Sequence, residues 1–534
     1  KIIAYLATNS TAGNELGLKD LAHEFAGNWA QSDIKDIRLF PLDKLLQYNL
    51  VDCLSTWYVK NKYTPIMVAD KQEELYHSLM LPSLKVIIQM ELTGMPMNAV
   101  RVDEVKSELM TVYLQHIDTL KNNPTIKALN LLVQTNAMEK ANAKLKTKQH
   151  PLSKFADLEF NPNSGPQLQI LLYEQMGLPV IDLTETKQPA TGGDTLEKLL
   201  NHTNVPEYQD IIKALIGLSS VSKILSAFIP AFEKGLHKAD GMAYLHGSFN
   251  LGGTVSGRLS SSKPNMQNLP AGSEYGKLIK SCFQAPKGWL MVGADFASLE
   301  DRINALLTKD VNKLLVYTAG FDGHALRAAA YFKEELEAEG IFIDMSDPAS
   351  VNQLKKNDHP LRQDSKAPTF AMTFSGTWRT MVNNLGWSEK KAKAVEANYK
   401  NLYQMSIQWV ADKLAQASVD GYVEVAFGLR VRTPLLKQTL RGHRSTPFQA
   451  EAEGRTAGNA VSGQSYGLLN NRAANELMQK VWGSKYRYDV KPIAQIHDAF
   501  YLLVKDDAEV VHWVNQELIK SMQWQELPEI KHDQ

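Results

Sequence analysis

Two apolar segments of the sequence each end in an acidic residue, and this pair constrains the fold more than any other feature. Asp295 follows the run LMVGA, and Asp498 follows IAQIH, which leads directly into a second apolar run, AFYLLV. Short apolar runs of this kind are typical of buried strands. A carboxylate at the end of a buried strand costs free energy unless it is paired or holds a metal ion. The sequence therefore predicts one strand within 288–297 and two strands within 490–504, with His497 and Asp498 at the turn between those two.

A third segment, RQDSKAPTFAMTF, lies between the two acids in the chain and strengthens a functional interpretation of them. Arg362, Lys366, Phe370 and Phe374 recur every four residues, so on a helix they lie on one face. The cations suit a polyphosphate, and the aromatic rings suit a stacked sugar or base. The alternative is a charged helix end that grades into core aromatics. Pro368 lies inside the stripe and predicts a kink there.

Length and composition limit the class of protein. A chain of 534 residues predicts about three or more domains. The 58 basic and 58 acidic residues cancel, and the 44% of hydrophobic residues is ordinary for a globular protein, which excludes disordered and collagen-like classes. No apolar run approaches the roughly 18 residues that a membrane span needs. With only Cys53 and Cys282, a disulfide scaffold is excluded and a reducing compartment is favoured.

The hydrophobic periodicity predicts a mainly helical chain with a few short strands. The predicted helical segments are 16–25, 41–60, 81–120 with a break at Gly94-Met95-Pro96, 165–235, 299–416 and 450–482. A hairpin is predicted over 421–434. Residues 121–154 differ in composition, with seven lysines (121, 127, 140, 144, 146, 148 and 154) against the single acid Glu139. This stretch fits either a solvated helix face or a strip that follows a phosphate backbone.

Five motifs, in order along the chain, resemble those of family A DNA polymerases, the class of bacterial DNA polymerase I. SGRLSSSKPNMQNLP (256–270) is similar to a long, specific stretch of that family, and DFASLEDR (295–302) resembles its first palm motif. FDGHA (321–325) resembles the Asp-x-His that opens the fingers, and RQDSKAPTF with Phe374 resembles the fingers helix. QIHDAF (495–500) resembles the His-Asp-Glu motif. The match extends over nearly the whole chain, and the shared order makes a chance match improbable.

The resemblance implies an α+β fold of the right-hand polymerase type. It implies a palm with an antiparallel sheet, helical fingers and a helical thumb, preceded by the end of a 3′–5′ exonuclease domain. The implied segments are 1–78 as the exonuclease remnant, 79–241 as the thumb and start of the polymerase domain with the Lys-rich insertion 121–154, 242–308 as the first part of the palm, 309–437 as the fingers and 438–534 as the second part of the palm.

The implied activity is template-directed addition of deoxynucleotides to a primer 3′-hydroxyl, with release of pyrophosphate. Asp295 and Asp498 would hold two Mg²⁺ ions, for which Mn²⁺ could substitute, and the carbonyl of Phe296 would be a further ligand. Lys366 would be the third catalytic residue, because it could donate a proton to the leaving pyrophosphate.

The resemblance also implies binding roles along the cleft. The residues that would bind the dNTP are Arg362, Lys366 and His324 at the phosphates, Phe370 at the sugar, Phe374 and Phe296 nearby, and Glu300, which would exclude a 2′-hydroxyl. The residues that would bind primer and template are Arg258, Asn265, Gln267, Asn268 and His497, with Arg455 and Asn459 on the template side. Minor-groove acceptors common to all base pairs let such residues check pairing without reading sequence.

Three positions depart from the family's pattern. Phe374 stands where the family usually has Tyr, Ser375 replaces the following Gly, and Ala499 replaces the Glu that follows the His-Asp pair. The family's Gln-Gly appears here in reverse, as Gly463-Gln464, so no role is given to that Gln. These changes bear on nucleotide selectivity and fidelity more than on basic activity.

The amino-terminal region resembles part of a proofreading exonuclease. YNLVD has the Tyr-x₃-Asp spacing of that enzyme's third motif, with Tyr48 and Asp52, but residues 1–47 contain no Asp-x-Glu pair. We therefore expect no proofreading from this chain. It begins at Lys1 without a signal or transit segment and stops at ELPEIKHDQ, which predicts a fragment truncated at both ends.

Two other functions stay open at this point. A single-subunit RNA polymerase shares the two palm acids and the Arg/Lys helix, although Glu300 and the SGRLSSS stretch argue against it. A non-catalytic nucleic-acid-binding protein could retain the fold.

HGSFNLGG and GTW resemble the phage replicative branch, which implies phage DNA replication in the cytoplasm of a bacterial host. Primer-template DNA and dNTPs are the implied partners, with no membrane; a processivity factor or helicase remains unknown.

Overall fold

Helices dominate the part of the chain that the structure describes, as the hydrophobic periodicity predicts, and the strands are short. The computed structural model describes residues 1–29, 36–145, 149–269, 274–439 and 447–523. The elements up to residue 98 are helices α1 Ile2–Thr8, α2 Leu18–Leu21, α3 His23–Ala26, α4 Leu42–Ala69, α5 Glu73–Leu75 and α6 Leu81–Thr93, and strand β1 Met95–Met97.

The segments predicted as the thumb and the first part of the palm follow. The thumb segment contains α7 Ala99–Asn122, α8 Pro124–Asn142, α9 Gly165–Gln169, α10 Gly193–Leu199, α11 Pro206–Lys223, α12 Ile229–Glu233 and β2 Leu236–His237. The palm segment contains β3 Ala243–Leu245, β4 Ser248–Asn250, β5 Ser260–Ser262, α13 Glu274–Ser281, β6 Trp289–Asp295 and α14 Leu299–Thr308.

The segment predicted as the fingers is almost entirely helical, and the last segment returns to the palm. The fingers segment contains α15 Val311–Thr318, α16 Gly323–Tyr331, α17 Lys333–Ala338, α18 Pro348–Lys356, α19 Pro360–Asp364, α20 Lys366–Thr373, α21 Trp378–Leu385, α22 Glu389–Leu402, α23 Gln404–Asp420, β7 Tyr422–Glu424 and β8 Arg430–Arg432. The last segment contains α24 Phe448–Ser462, α25 Leu468–Gly483, β9 Val490–Ile496, β10 Ala499–Lys505 and α26 Ala508–Met522.

The strands that carry the two acids form one antiparallel sheet, as the sequence predicts. Its order is β6-β10-β9, and two residues, His497 and Asp498, connect β9 to β10. Ala499 pairs with Asp295 of β6 and with Ile496 of β9, so both acids lie at the same end of the sheet. Sequential strands joined by a two-residue turn must be antiparallel, which fixes this register.

The palm sheet has one face against helices and one face toward a cleft. Phe500, Leu502 and Val504 alternate along the central strand and are at most 1% exposed, which is the pattern of a strand with a buried face. Helices α6, α25 and α26 pack around this sheet. The other strand pairs are the three-stranded sheet β1-β3-β2 and the hairpins β4-β5 and β7-β8. The α+β class and the hairpin over 421–434 are confirmed.

The buried apolar side chains of the described residues form three clusters. One lies between residues 120 and 218, in the predicted thumb, and one between residues 321 and 403, in the predicted fingers. The third joins the palm sheet to helices of the first 109 residues. The amino-terminal region is therefore continuous with the palm, and the hydroxyl of Tyr5 donates to the carbonyl of Thr254 at 3.0 Å. The five predicted domain boundaries stay predictions.

Two local features differ from the sequence-based expectations. Residues 450–482 were predicted as one helix, but α24 ends at Ser462 and α25 begins at Leu468, because Gly463 has a φ of +147°. Met95–Met97 was predicted only as a helix break, but it pairs with β3. The kink predicted at Pro368 is present as the break between α19 and α20, since Pro368 cannot donate to the carbonyl of Asp364.

One helical stretch, residues 206–233, is long and apolar enough to cross a membrane by length and composition, with a mean hydropathy of 1.6 over 18 residues. Its buried face, which includes Ile212, Leu215 and Val221, packs within the apolar clusters and against α7. Of the predicted features, Lys146 and Lys148 of the Lys-rich stretch, Pro270 of the SGR motif and residues 524–534 of the palm segment lie outside the described residues.

The central strand of the palm sheet gives a test of this packing. Leu502→Ala should lower the free energy of local opening of β10 by about 2–5 kcal/mol, because a fully buried leucine leaves a cavity behind. Native-state hydrogen exchange of the β10 amides measures this free energy. Leu290→Ala in the edge strand β6, where the side chain is 37% exposed, is the control and should change it much less. Equal effects of the two changes would contradict the packing described.

Candidate active site

Asp295 and Asp498 lie side by side at one end of the palm sheet. Asp295 is the last residue of β6, and Asp498 is the second residue of the β9–β10 turn, next to Ala499, the partner of Asp295. The N–H of Phe296 donates to the carbonyl of Asp498 at 3.4 Å, which holds the two segments together. Burial and the neighbouring carboxylate of Asp498 raise the pKa of Asp295. The two carboxylates therefore concentrate negative charge at the end of the sheet, where β6 ends and β9 turns into β10.

Arg258 partly compensates this charge. Its guanidinium donates to the carboxylate of Glu300 at 2.5 Å and to that of Asp498 at 3.2 Å. Its Nε is buried and has no hydrogen-bond partner among the described residues. Glu300 lies on the first turn of α14, five residues after Asp295. One cation thus connects the predicted sugar-selecting carboxylate to one of the two paired acids.

A cleft of about 880 Å³ separates these acids from the fingers. The predicted site residues that line it on the palm side are Asp295, Phe296, Glu300, His497 and Asp498, and those on the fingers side are His324, Lys366, Phe370 and Phe374, with Asn459 of α24 beside them. The structure therefore brings together ten residues that the sequence and the family resemblance single out. Carboxylates on one wall face cations and aromatic rings on the other.

The fingers wall presents groups suited to an anion. Among the described residues, the ammonium group of Lys366 on α20 has no hydrogen-bond or ion-pair partner, and Phe370 is 61% exposed. His324 lies on the first turn of α16, and its Nδ1 is buried without a partner. Burial, with Arg327 and Lys366 nearby, lowers the pKa of His324 to about 4, so its ring is neutral at neutral pH.

Arg362 does not line the cleft. Its Nε and a terminal nitrogen donate to the two carboxylate oxygens of Asp322 at 2.9 and 3.0 Å, in a bidentate pair. Burial opposes ionisation of Asp322, but Arg362 and the N–H of Ala325 lower its pKa to about 2. Asp322 also caps the amino terminus of α16, the helix of His324. The sequence could not show this pairing, because Asp322 and Arg362 are 40 residues apart.

The residues predicted at the primer end lie beside the His497 turn. Gln267 donates to the carbonyl of Gln495 at 2.9 Å and accepts from the N–H of His497 at 2.7 Å. Its carboxamide therefore stabilises the turn, in which His497 has a φ of +54°. Asn265 accepts from the N–H of Gln267 at 3.1 Å, and both Asn265 and Asn268 are exposed.

The two residues predicted on the template side face different spaces. Asn459 lines the main cleft, where its Oδ1 is buried without a partner. Arg455 lies one turn earlier on α24, with its guanidinium 5.5 Å from the ring of Phe448. It lines a second groove, of about 860 Å³, on the other side of Phe370 and Phe374. The fingers aromatics thus separate the two spaces.

Sequence reasoning missed several residues of the cleft. Gln464 lines it, in the reversed Gly463-Gln464 pair. A Cβ on Gly463 would lie only 2.9 Å from the carbonyl oxygen of Glu300. Glycine at this position therefore permits α24 to end against α14. The other missed residues include Lys280, Asp301, Lys313, Tyr317, Arg327 and Tyr501. Charged residues on predicted helices were the available signal, but the pattern cannot show which of them face inward.

The predicted exonuclease residues lie on α4, away from the cleft residues in the chain. Asp52 accepts from the indole N–H of Trp29 at 3.2 Å, and the ring of Tyr48 lies 6.0 Å from the ammonium group of Lys19. Within the described residues, no group of three or more acidic, His or Cys side chains is arranged to hold a metal ion, here or elsewhere. The absence of proofreading stays a prediction.

The paired acids nevertheless offer a partial metal site. Asp295 and Asp498 place two carboxylates at one end of the sheet, where the backbone carbonyl of Phe296 would be a further oxygen ligand, and Mg²⁺ typically binds one or two carboxylates together with substrate phosphates. A cation between the carboxylates would offset the repulsion from Asp498, which adds to the effect of burial in raising the pKa of Asp295. The donor set therefore fits a divalent cation whose coordination is completed by a phosphate ligand.

Comparison with known proteins supports the family resemblance. The sequence model of DNA polymerase family A matches residues 132–531. DNA polymerase I of Pseudomonas aeruginosa is 29% identical over 352 residues, which cover 66% of this chain and 35% of that protein. DNA polymerase I of Bacillus subtilis is 26% identical over 489 residues, which cover 90% of this chain and 48% of that protein. The chain thus spans half or less of the length of these relatives.

A solved structure has a similar fold. The POL domain of Pol1 from M. smegmatis, in a complex with DNA primer-template and dNTP, superposes with a TM-score of 0.70 at 19% identity. The match covers 98% of this chain and 77% of the solved chain. At this identity the comparison confirms the right-hand architecture of the fold alone.

The raised pKa of Asp295 gives a stability prediction. A carboxyl whose folded pKa exceeds its unfolded value destabilises the protein once it ionises, so the penalty is absent below about pH 3.8 and full above the raised pKa. Asp295→Asn should therefore raise the melting temperature at pH 7 in a chelating buffer, and the gain should shrink as the pH falls. Asp489→Asn is the control, because Asp489 pairs with Lys505 at 3.4 Å. A lower melting temperature for Asp295→Asn would oppose this interpretation.

Proposed function

The chain belongs to DNA polymerase family A, and on that premise we propose that it adds deoxynucleotides to a primer 3′-hydroxyl under the direction of a template. The observation that carries the proposal is the pair Asp295 and Asp498, at one end of the palm sheet, across a cleft from Lys366 and His324. Attack of a hydroxyl group on a nucleoside triphosphate builds up negative charge at the phosphate, which cations stabilise, and the two carboxylates would hold metal ions beside it.

We propose that Asp295, Asp498 and the carbonyl of Phe296 hold two Mg²⁺ ions, for which Mn²⁺ can substitute because it accepts the same oxygen ligands. When bound, the two ions lower the pKa of the primer 3′-hydroxyl and stabilise the charge that develops at the α-phosphate. Ala499 leaves the site without the third acid of the family's pattern. Asp498 is therefore the carboxylate that the His497–Ala499 segment would supply, and Asp295 of β6 would supply the other.

The fingers residues would bind the triphosphate and offset the negative charge of the pyrophosphate as it leaves. Lys366, which has no partner in the described chain, would contact the β- and γ-phosphates and donate a proton to the leaving group. His324 is neutral at neutral pH, so it would donate a hydrogen bond instead of contributing a charge. Arg362 would have to exchange its bidentate contact with Asp322 for the triphosphate. A polyphosphate carries more negative charge than a carboxylate, which favours that exchange.

The sugar and base would lie between Phe370 and the palm. Phe370 offers an exposed ring for the deoxyribose, and Glu300, fixed by Arg258, would occupy the space of a 2′-hydroxyl. Phe374 lacks the hydroxyl that the family usually has at this place, so it would select the base through packing alone. Gln267, His497, Asn265 and Asn268 would follow the minor groove at the primer end, and Arg455 and Asn459 would contact the template side.

Primer extension tests the proposal most directly. With Mg²⁺, a defined template and dNTPs, the chain should extend a primer in template order. Asp295→Ala and Asp498→Ala should each lower the rate at least about a thousandfold, since each removes a ligand that acts in the transition state. Binding of primer-template DNA, measured by fluorescence anisotropy, should stay within about twofold. Asp489→Asn, at the opposite end of the same sheet, is the matched control and should retain the rate.

The possible outcomes separate the competing functions. Extension with NTPs but not dNTPs would identify an RNA polymerase. Salt-sensitive DNA binding that is indifferent to Mg²⁺, without extension, would identify a non-catalytic binding protein. Undiminished extension by either aspartate variant would refute the metal-ligand assignment.

Sugar selection provides a second prediction. Glu300→Ala should raise the incorporation of ribonucleotides relative to deoxynucleotides by about tenfold or more, because the space that a 2′-hydroxyl needs is opened. Competition between a dNTP and the matching NTP on one template measures this ratio. Glu334→Ala, an exposed change on α17, is the control. If the ratio is the same in Glu300→Ala and the wild type, Glu300 does not select the sugar.

We further propose that the chain serves phage DNA replication in the cytoplasm of a bacterial host. HGSFNLGG and GTW are the residues that support this finer assignment. Disruption of the corresponding phage gene should abolish DNA synthesis after infection without affecting host replication. Continued phage DNA synthesis after the disruption would remove this assignment and leave the polymerase proposal intact.

A further inference from the structure

Helix α14 of the palm meets helices α15 and α16 of the fingers along a polar seam, although Leu414 and Ala417 of α23 belong to the palm cluster. The apolar cluster of the fingers lies between residues 321 and 403, whereas Leu299 and Ile303 of α14 belong to the palm cluster. The buried polar side chains near this boundary are Asn304, Thr308, Asp310, Lys313, Arg327 and Ser406. A polar seam costs desolvation free energy, but its contacts depend on direction and fix one arrangement of the two sides.

Asp301 is the carboxylate at the centre of this seam. Its Oδ2 accepts hydrogen bonds from the hydroxyl of Tyr317 at 2.7 Å and from the guanidinium of Arg327 at 3.0 Å. The ammonium group of Lys313 lies 3.6 Å from its Oδ1. Arg327 also donates its Nε to the hydroxyl of Tyr403 at 2.9 Å. One carboxylate of α14 thus connects to α15, α16 and the end of α22.

Lys313 and Arg327 both pair with Asp301, and Asp310 adds a second negative charge near Lys313. The side chains of Lys313 and Arg327 are only 2% and 9% exposed, so water cannot replace a lost partner. In the part of the chain that the structure describes, Asp301 is the carboxylate that forms an ion pair with Lys313 and also the one that forms an ion pair with Arg327. Loss of one member of a buried ion pair leaves an uncompensated charge, which is more destabilising than the absence of the whole pair.

The seam continues to the helix that closes the cleft on its third side. Lys313 donates to the side-chain oxygen of Asn304 at 2.7 Å, and the amide of Asn304 donates to the carbonyl of Ser462 at 2.9 Å. Ser462 is the last residue of α24, immediately before Gly463, and Asn459 lies on the same helical turn. The hydrogen-bonded chain therefore includes α14, α16 and α24, the helices that carry Glu300, His324 and Asn459 of the candidate active site.

The seam lies directly behind the reacting groups. Asp301 follows Glu300 on α14, and Arg327 lies one helical turn after His324 on α16. Asp301, Lys313 and Arg327 all line the main cleft together with Asp295. A rotation of α16 relative to α14 would therefore change the separation of His324 from the palm acids.

We propose that Asp301 is a positioning residue for nucleotide binding: its contacts with Tyr317, Lys313 and Arg327 hold the fingers helix of His324 at a fixed distance from Asp295. This inference rests on the proposed function for its kinetic consequence. It requires no contact between Asp301 and the nucleotide. The direct recognition of phosphate stays with His324 and Lys366, whereas Asp301 sets where they are.

The kinetic test uses an Asp301→Asn variant, which keeps the size of the side chain and removes its charge. The KM for dNTP should rise about tenfold or more, whereas the affinity for primer-template DNA should stay within about twofold. Asp301→Glu, which keeps the carboxylate, should recover most of the loss. Asp70→Asn is the matched control, because Asp70 also pairs with two arginines, Arg430 at 2.9 Å and Arg432, and is similarly exposed.

Assays at a temperature where both variants are folded separate a positioning role of Asp301 from a general loss of folded protein. Both variants are expected to lower the melting temperature, and the assays are run well below the lower of the two. If Asp70→Asn raises the KM for dNTP as much as Asp301→Asn does, or if Asp301→Asn leaves it unchanged, the proposal is overturned.

A distance measurement tests the same inference without catalysis. Spin labels at Glu334→Cys on the fingers and Asp506→Cys on the palm, in a Cys53→Ser background, report the separation of the two regions by electron–electron dipolar spectroscopy. The distribution should be narrow in the parent and with Asp70→Asn, and clearly broader or shifted with Asp301→Asn. An unchanged distribution would overturn the proposal. If the parent extends no primer, the proposed function fails, while this distance result still decides the role of Asp301.

Discussion

The strand register that holds two carboxylates at one end of a sheet is the constraint on which the candidate active site depends. Asp295 and Asp498 are held together by strand register, since Ala499 pairs with Asp295 and the turn before it has only two residues. Around them, Gln267 fixes the turn and Arg258 connects Asp498 to Glu300. Burial and the carboxylate of Asp498 raise the pKa of Asp295, so ionisation of this carboxyl carries a free-energy cost in the folded chain. Sites that keep such a cost are typically functional.

The opposite wall of the cleft follows from the same requirement. A negative palm end can act on a polyphosphate only if cations lie across from it, at a fixed separation. Lys366 of α20 supplies such a charge, His324 of α16 lines the same wall as a neutral ring, and Arg362 is paired with Asp322. The fingers have an apolar core of their own, so the Asp301 cluster supplies the oriented contacts between the two sides.

Local patterns of the sequence predict the palm sheet, the Lys366–Phe370 face and the helical fingers, because strand and helix periodicity record which side chains are buried. They do not predict where one helix meets another. The helix break at Gly463 depends on the approach of the Glu300 backbone, and the partners of Arg362 and Asp301 lie 12 to 40 residues away in the chain. Pairings of this kind are set by tertiary packing, so the same charged residues fit a solvated helix surface equally well. The family resemblance supplied the roles, and the structure supplied the partners.

Metal binding at the paired acids tests the account most directly. Mn²⁺ bound per chain can be counted by electron paramagnetic resonance, in the presence of primer-template DNA and a dNTP analogue that cannot react. We expect two Mn²⁺ ions per chain, and we expect both to be lost when Asp295 and Asp498 are replaced together by Asn. Two ions that remain after this double replacement, or none in the parent, would contradict the claim that the two carboxylates hold the catalytic metals.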